Sequence, residues 1–456
     1  MIIDALVAEI GSTTTVVNAF DNLASDNPKF IGSGFSPTTV IEGDVTIGLN
    51  KAIDNLKNSL GVRTLEARET FASSSAAGGL KMSVHGLVYD MTVRAAKEAA
   101  LGAGANIKMI TSGLLEDYQI EEIRKQPLNI IMISGGVDFG ERITSIENTK
   151  KIAALQLGIP IIYAGNIQNH KIIEKIFADH NQSEFLYISD NVYPKIDVLE
   201  VEKTRKIIQD AFEKHIIHAP GMEKVKSVIT DNIIPTPGAV MEASILLQKV
   251  IGDLVVVDIG GATTDVHSVT SGKKEIEKIM IAPEPFAKRT VEGDLGVYIN
   301  RRNLIDLITK EKIIITLDTN ELELDSVLDN YQPIPSANQV PLTEILAQEA
   351  MNLALERHCG RLVNVYTGSG KTTYAEGKDL TAVNFIIGTG GALTRLPHRK
   401  EIINNVLNKE NRLLLKPGKN TEILIDNHYI MASLGVLSKK HPEAAIKLLK
   451  SSLEIR

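Results

Sequence analysis

The chain has 456 residues, too many for one hydrophobic core, so two or three domains are expected. A formal charge of −7 with 43% hydrophobic residues describes an ordinary globular protein and argues against nucleic acid or an anionic membrane as the main partner. The single cysteine, Cys359, excludes an internal disulfide framework and a self-contained cysteine-ligated cluster, and the absence of Trp gives stacking on single-stranded nucleic acid little support.

The N-terminus carries Asp4 and no early cation and runs directly into a strand pattern, unlike a secretory signal. No apolar run approaches bilayer length, and a reducing, cytoplasmic setting is expected. Residues 2–10 and 14–20 read as a hairpin, followed by an irregular segment to about 45 and helical spacing from Asn50 to Leu60. Short strands and the small-residue stretch Ser73–Gly79 occupy 70–89, and residues 1–91 are predicted to form a first lobe. From Thr92 an alanine-rich helix gives way to alternating strands and helices. Asn129–Ser134 reads as a buried parallel strand, 141–156 as its helix and Pro160–Tyr163 as the next strand, so 92–225 is predicted to be an inserted α/β domain. Pro235-Thr236-Pro237-Gly238 starts a helix over 239–250 that feeds the strand Leu254–Asp258. Residues 226–438 are then a second lobe, with a further strand at Asn384–Gly388 and a closing helix from near Tyr429; the C-terminal helix, about 439–456, is assigned to the first lobe.

One phrase occurs twice, 249 residues apart. Ala8-Glu9-Ile10-Gly11-Ser12-Thr13-Thr14-Thr15 matches Val257-Asp258-Ile259-Gly260-Gly261-Ala262-Thr263-Thr264, with Asp265 next. Both read as an apolar strand, an acid, a tight small-residue turn and then hydroxyls. An acid at a strand end can hold a metal ion, and small turn residues let backbone N–H groups approach a phosphate. A Gly/Thr hairpin alone is common; two in register make chance a poor explanation and point to a nucleotide gripped from both sides.

Other glycine-rich and histidine features carry less. Thr367-Gly368-Ser369-Gly370-Lys371-Thr372-Thr373 ends like a P-loop, but Val365 stands where its first glycine should be, so a strand pair with an exposed basic turn is predicted. Gly135-Gly136-Val137-Asp138-Phe139-Gly140 is a strand-to-helix turn where an anion could sit at the helix N-terminus, with an unoccupied turn the favoured reading. No carboxylate or thiol pattern near His215 and His218 in the sequence completes a metal site, and Cys359 is expected to be a packed thiol.

The order hairpin, insert, helix, hairpin, strand with a Gly-Gly turn, and small-residue helix resembles the actin, sugar kinase and heat-shock chaperone superfamily. That resemblance implies two ribonuclease-H-like lobes closing over ATP and Mg2+. Gly11, Ser12, Thr13 and Thr14 then fall in the first phosphate motif, Gly260, Gly261, Ala262 and Thr263 in the second, and Gly388, Gly390 and Gly391 in the adenosine motif. Asp258 and Asp265 match carboxylates that position the hydrated metal. Glu9 replaces the usual aspartate, and its extra methylene favours contact through water. Gly293-Asp294 sits where the superfamily often has a glycine-acid turn. Small residues in the helices 237–249 and 430–438, Gly238, Ala239, Ala432 and Gly435 among them, permit close crossing. Thr236 stands where chaperone relatives carry a water-placing carboxylate, and Glu242, one turn on, is the alternative catalytic candidate beside Asp258 and Glu9.

Longer phrases narrow the match: Ala72–Leu80, Ile133–Asp138, Ile162–Asn166, Pro235–Val240 and Lys288–Gly296. With 8–15 they resemble, over essentially the full length, the glutamate mutase accessory family called GlmL or MutL, unrelated to the mismatch-repair protein sharing the second name. Membership implies an ATP-hydrolysing reactivating chaperone whose partner is an adenosylcobalamin-dependent mutase, with the 92–225 insert the first candidate for the partner surface. A homo-oligomer stays open. Three rivals remain: a small-molecule kinase of the same fold, for which no aspartate base stands out; a radical dehydratase activator, which needs two cysteines per subunit; and a non-catalytic nucleotide-binding scaffold.

Overall fold

The computed structural model describes residues 1–11, 14–40, 42–75, 79–215, 221–367 and 370–455. The chain forms two compact units, Met1–Ala243 with Ala432–Leu448, and Ser244–Met431 with Leu449–Arg456.

In the first unit, β1 (Ile2–Ile10) and β2 (Thr14–Asp21) form the expected hairpin, followed by β3 (Lys29–Pro37), α1 (Val45–Leu60) and β4 (Glu66–Ser74). β1 is a nearly continuous apolar run because both of its faces are covered. α1 starts where the Asp44 side chain accepts the Thr46 backbone N–H, and ends at Gly61, whose φ of 66° is a left-handed cap. Five strand-helix units follow: β5 (Leu80–Gly86) with α2 (Arg94–Gly102), β6 (Ala105–Ser112) with α3 (Asp117–Lys125), β7 (Ile130–Ile133) with α4 (Ile143–Ala153), β8 (Ile161–Tyr163) with α5 (His170–Asp179), and β9 (Leu186–Ile188) with α6 (Glu202–His215). These strands make one wholly parallel sheet in the order β6-β5-β7-β8-β9. That is a doubly wound arrangement, helices on both faces. β10 (Ile233–Pro235) then returns to the first sheet, whose order is β10-β4-β1-β2-β3.

α7 (Thr236–Ile251) leads into the second unit. There β11 (Leu254–Ile259), β12 (Thr264–Val269) and β13 (Ala287–Glu292) precede a separate hairpin of β14 (Arg361–Thr367) and β15 (Gly370–Glu376), and β16 (Phe385–Thr389) and β17 (Glu422–Ile425) complete the main sheet. Its order is β13-β12-β11-β16-β17. In both main sheets the first three strands of the set are antiparallel meanders and the last two run parallel to the central strand. The same order and sense twice over is the ribonuclease-H-like pattern, and the α/β fold expected from the sequence stands.

The domain boundaries differ from those expected. Residues 80–86, which fall inside the predicted 1–91 lobe, form an inner strand of the parallel sheet, flanked by β6 and β7, so that sheet begins near residue 80 and not at 92. Ile233–Pro235, assigned to a second lobe starting at 226, pairs instead with Ala72–Ser74, and the first unit runs to Ala243. The C-terminal segment divides near Leu448 rather than belonging wholly to the first lobe. A single core runs beneath the first sheet and one side of the parallel sheet, joining Ala8, Leu49 and Leu80 to Phe212; Ile131, Tyr163 and Phe177 fill the other side.

The helix Met431–Leu437 crosses α7 at the predicted small residues. A Cβ on Gly435 would fall 1.8 Å from the Ala239 carbonyl oxygen, so only glycine permits this approach. The P-loop-like segment is the hairpin β14–β15, with residues 368 and 369 of its turn outside the described residues, as is His218. Cys359 is buried, and burial pushes its thiol up to about 12, which fits a packed, inert group. Among the described residues no helix is long and apolar enough to cross a membrane.

Candidate functional site

The two matching phrases build matching turns. Gly11 N–H donates to the Thr14 carbonyl at 3.0 Å, and Gly260 N–H to the Thr263 carbonyl at 2.9 Å. The registers agree as well: Glu9 faces Val16 and Ile10 faces Thr15 on β1–β2, while Asp258 faces Asp265 and Ile259 faces Thr264 on β11–β12. Each acid is therefore the penultimate residue of a central strand, one step before a tight turn. Glu9 is buried and lies beside Ser73 of β4. Ser12 and Thr13 lie outside the described residues.

In the second unit the turn is braced from outside. Val297 N–H donates to the Gly260 carbonyl, Tyr298 and Ile299 N–H to that of Gly261, and Asn300 Nδ2 to that of Ala262 at 2.7 Å. Asp258 lies beside Thr389 at the end of β16, and the next residue, Gly390, has φ 81°. A Cβ there would meet Asp258 Oδ1 at 2.3 Å and the Ile259 carbonyl at 2.6 Å. The predicted Gly-Gly turn is thus pressed against the predicted metal-binding acid, and Gly390 is required by both conformation and space.

Asp265 is also buried, and its carboxylate is committed. Arg289 on β13 donates from Nε at 2.8 Å and Nη2 at 2.5 Å to Oδ1, while Thr263 Oγ1 donates to Oδ2 at 3.1 Å. This pairing makes Asp265 a group that shapes the turn more readily than one that binds metal directly. Sequence reasoning missed Arg289 although it lies in a quoted phrase; strand alternation puts it on the face opposite Lys288, and that alternation was the available signal.

A cavity of about 280 Å3 opens beside these turns, bounded by Gly261 on one side and by Gly391, Ala392 and Arg395 on the other. Its remaining wall is mostly apolar, with Tyr298, Val340, Leu396 and the segment Tyr331–Pro335, and Gln332 and Thr343 are its polar members. The Tyr298 and Tyr331 rings stack with centroids 6.4 Å apart, Arg301 lies over both, and Tyr331 shares a 2.5 Å hydrogen bond with Thr343. A mostly apolar cavity lined at one side by small turn residues suits a base with its sugar. Gly388 lies deeper, packed among Ile403, Ile425 and Leu393, and supports the strand rather than the cavity. Gly293-Asp294 forms a turn whose acid is held by Arg357 in a two-point ion pair that lowers the Asp294 carboxyl's pKa.

Glu242 is placed otherwise than expected. Its side chain lies 3.1 Å from Lys439 Nζ and 3.6 Å from Arg205, and it accepts a hydrogen bond from Gln209 at 3.4 Å. Burial alone would raise its pKa, but Lys439 and Arg205 outweigh it and hold the carboxyl below its ordinary value. A carboxylate so engaged sits at the centre of a charge cluster with Lys439, Arg205 and Gln209. Thr236 donates to Ser73 Oγ at 3.2 Å.

Two ribonuclease-H-like sheets, each carrying an acid-led turn on its central hairpin, define the actin-like ATPase fold. Within that class the sequence match is specific: the chain belongs to the MutL protein family, the glutamate mutase accessory family, which it matches over residues 5–453. It is 36% identical over 462 residues to Protein MutL of Clostridium tetanomorphum, covering 98% of each chain. Among solved structures it is similar to nucleotide-free acetone carboxylase, at 13% identity, 96% of this chain, 70% of that one and a TM-score of 0.41. It is likewise similar to a diol dehydratase-reactivating factor in nucleotide-free form, at 10% identity, 96% and 100% coverage and a TM-score of 0.37.

Proposed function

We propose that the chain is an ATP-hydrolysing reactivating factor for an adenosylcobalamin-dependent mutase of the glutamate or amino mutase type. Family membership supports the partner class; the observation that carries the nucleotide is the duplicated acid-led turn, identical in closure and register, with a mostly apolar cavity at the second copy. Backbone N–H groups of the turns around Gly11 and Gly260–Thr263 bind phosphate oxygens, and the cavity between Gly261 and Gly391 takes the adenosine.

Mg2+ fits this donor set. Among the described residues no three His, Cys, Asp or Glu side chains converge on a metal position. Mg2+ does not need them, since it usually takes one or two carboxylates and completes its shell with phosphate oxygens and water. Asp258 is the protein ligand, directly or through water, with Glu9 acting through water; the ion would neutralise charge on the phosphates. Asp265, fixed by Arg289, holds the turn. ADP forfeits every interaction made by the γ-phosphate, so hydrolysis weakens whichever protein state those interactions favour, and a coupling of about 1–3 kcal/mol suffices to regulate a partner.

The deciding experiment mixes the purified chain with an inactivated cobalamin mutase, ATP, Mg2+ and fresh coenzyme and follows recovery of mutase activity. Recovery that requires ATP hydrolysis supports the reading; none with any glutamate or amino mutase overturns it. Asp258→Asn abolishes hydrolysis on this reading, and wild-type turnover in that variant overturns the metal assignment.

A further inference from the structure

The carboxyl edge of the parallel sheet is unusually apolar at its surface. Residues 80–201 contribute ten of the chain's large exposed hydrophobic side chains. All ten lie in the connections that leave the carboxyl ends of the strands or in the first turn of the following helix, two for each of the five strands, with Ile196 and Val198 in the long segment between β9 and α6; the connections at the opposite edge carry none. Tyr89 follows β5, Leu114 and Tyr118 follow β6, Phe139 and Ile143 follow β7, and Ile196 follows β9. Single exposed hydrophobics scattered over a surface are ordinary, whereas a contiguous group marks an interaction site.

Phe139 is the most exposed of them at 74%, and its φ is 64°, a conformation that a bulky residue rarely adopts. The loop is built to hold it there. Asn166 Oδ1 accepts the Phe139 N–H at 3.3 Å, and Asn191 Nδ2 donates to the Gly136 carbonyl and to Asp138 Oδ1. Strain of this kind persists where the surroundings over-determine it, and such positions cluster at functional sites. An aromatic presented on a rigid loop is also the kind of anchor that dominates binding energy in protein interfaces.

We infer that this edge is the docking surface for a protein partner, and, resting on the reading above, that the partner is the mutase. Two observations choose a protein over other occupants. The ten side chains expose roughly 900 Å2, close to the ~800 Å2 that each side contributes to a stable protein complex. The surrounding exposed charges are mainly acidic, Asp90, Asp117, Glu141 and Asp197 among them, which repels nucleic acid and anionic lipid and complements an apolar patch rimmed by Lys and Arg.

The test uses the full chain and the holo-mutase, with affinity read by surface plasmon resonance and ATP hydrolysis read alongside. Phe139→Asn with Ile143→Ser weakens mutase binding at least about 30-fold while basal hydrolysis stays at the wild-type rate. Asp117→Lys with Asp197→Lys slows association and flattens its dependence on salt. Wild-type affinity in both variants overturns the docking surface while leaving the reactivase reading intact; no binding by the wild-type chain overturns both. A wild-type dimer that the Phe139/Ile143 variant converts to monomer makes the edge a self-interface and likewise overturns the proposal.

Discussion

Replacing Gly390 by alanine tests the site where conformation and chemistry meet. At φ 81° an L-residue costs about 1–2 kcal/mol, and the added methyl arrives 2.3 Å from Asp258 Oδ1 and 2.6 Å from the Ile259 carbonyl. Overpacking of this kind costs about 1–3 kcal/mol more, so the second unit loses roughly 2–5 kcal/mol. At about 2–4 °C per kcal/mol this is a drop of several degrees to about 20 °C in its melting transition. The alternative to unfolding is a shift of the Asp258 carboxylate by about an ångström, and misplacement on that scale costs on the order of 100-fold in rate. Gly391→Ala is the matched control. Its Cβ meets nothing within 4 Å and its φ is not positive, so stability is unchanged, yet the methyl narrows the cavity that Gly391 lines and raises KM for ATP. Differential scanning calorimetry with steady-state phosphate release reads both quantities. A Gly390→Ala protein with wild-type melting and turnover refutes the argument.

Arg289→Met leaves the buried Asp265 carboxylate without its ion-pair partner and destabilises the second unit by about 3–5 kcal/mol, measured by denaturant unfolding. Gly435→Ala destabilises the first unit by about 1–3 kcal/mol or more, since its methyl cannot coexist with the Ala239 carbonyl in place. Stability also falls in mild acid. Burial holds His85 at about 3, and His267 and His358 are pushed well below 6.5, chiefly by burial, so all three are neutral when folded. Their contribution is fully present above the unfolded value of 6.5 and is lost as pH falls below it, about 1.4 kcal/mol each by pH 5.5. Urea titrations at pH 7.5 and 5.5 should differ by about that amount in the first unit and twice it in the second. Glu242, also held below its ordinary value, adds a loss only below about 4.5, which Glu242→Gln removes.

Much of the site was legible because the chain repeats itself. Glu9 and Asp258 fall at the same point of the same strand register, and the Gly260 and Gly390 turns lie where their small residues and flanking apolar runs predict. What escaped depends on pairing partners distant in sequence. Leu80–Gly86 falls within the 70–89 segment of short strands assigned to the first lobe, yet it is a parallel strand whose neighbours begin at Ala105 and Ile130. Ile233–Pro235 is three residues long and carries no periodicity of its own. Arg289 and Glu242 illustrate the same limit for charge: strand alternation can separate Arg289 from Lys288, but the local sequence does not name the partner, Asp265 for Arg289 and Lys439, Arg205 and Gln209 for Glu242. The wall built from Tyr298 and Tyr331 was equally silent, because its two rings come from loops 33 residues apart that hold no motif.

The Glu242 cluster has a mechanical consequence. One carboxylate on α7 holds two side chains of α6, which flanks the parallel sheet, and one from the stretch just after the helix Met431–Leu437. Moving any of the three alone would weaken the pairing of a largely buried carboxylate, although Arg205 keeps Glu202 as a second partner. The inserted domain is therefore joined to α7 by side chains as well as by the chain itself, and a change at Glu242 would be felt by α6 and by the segment around Lys439 together.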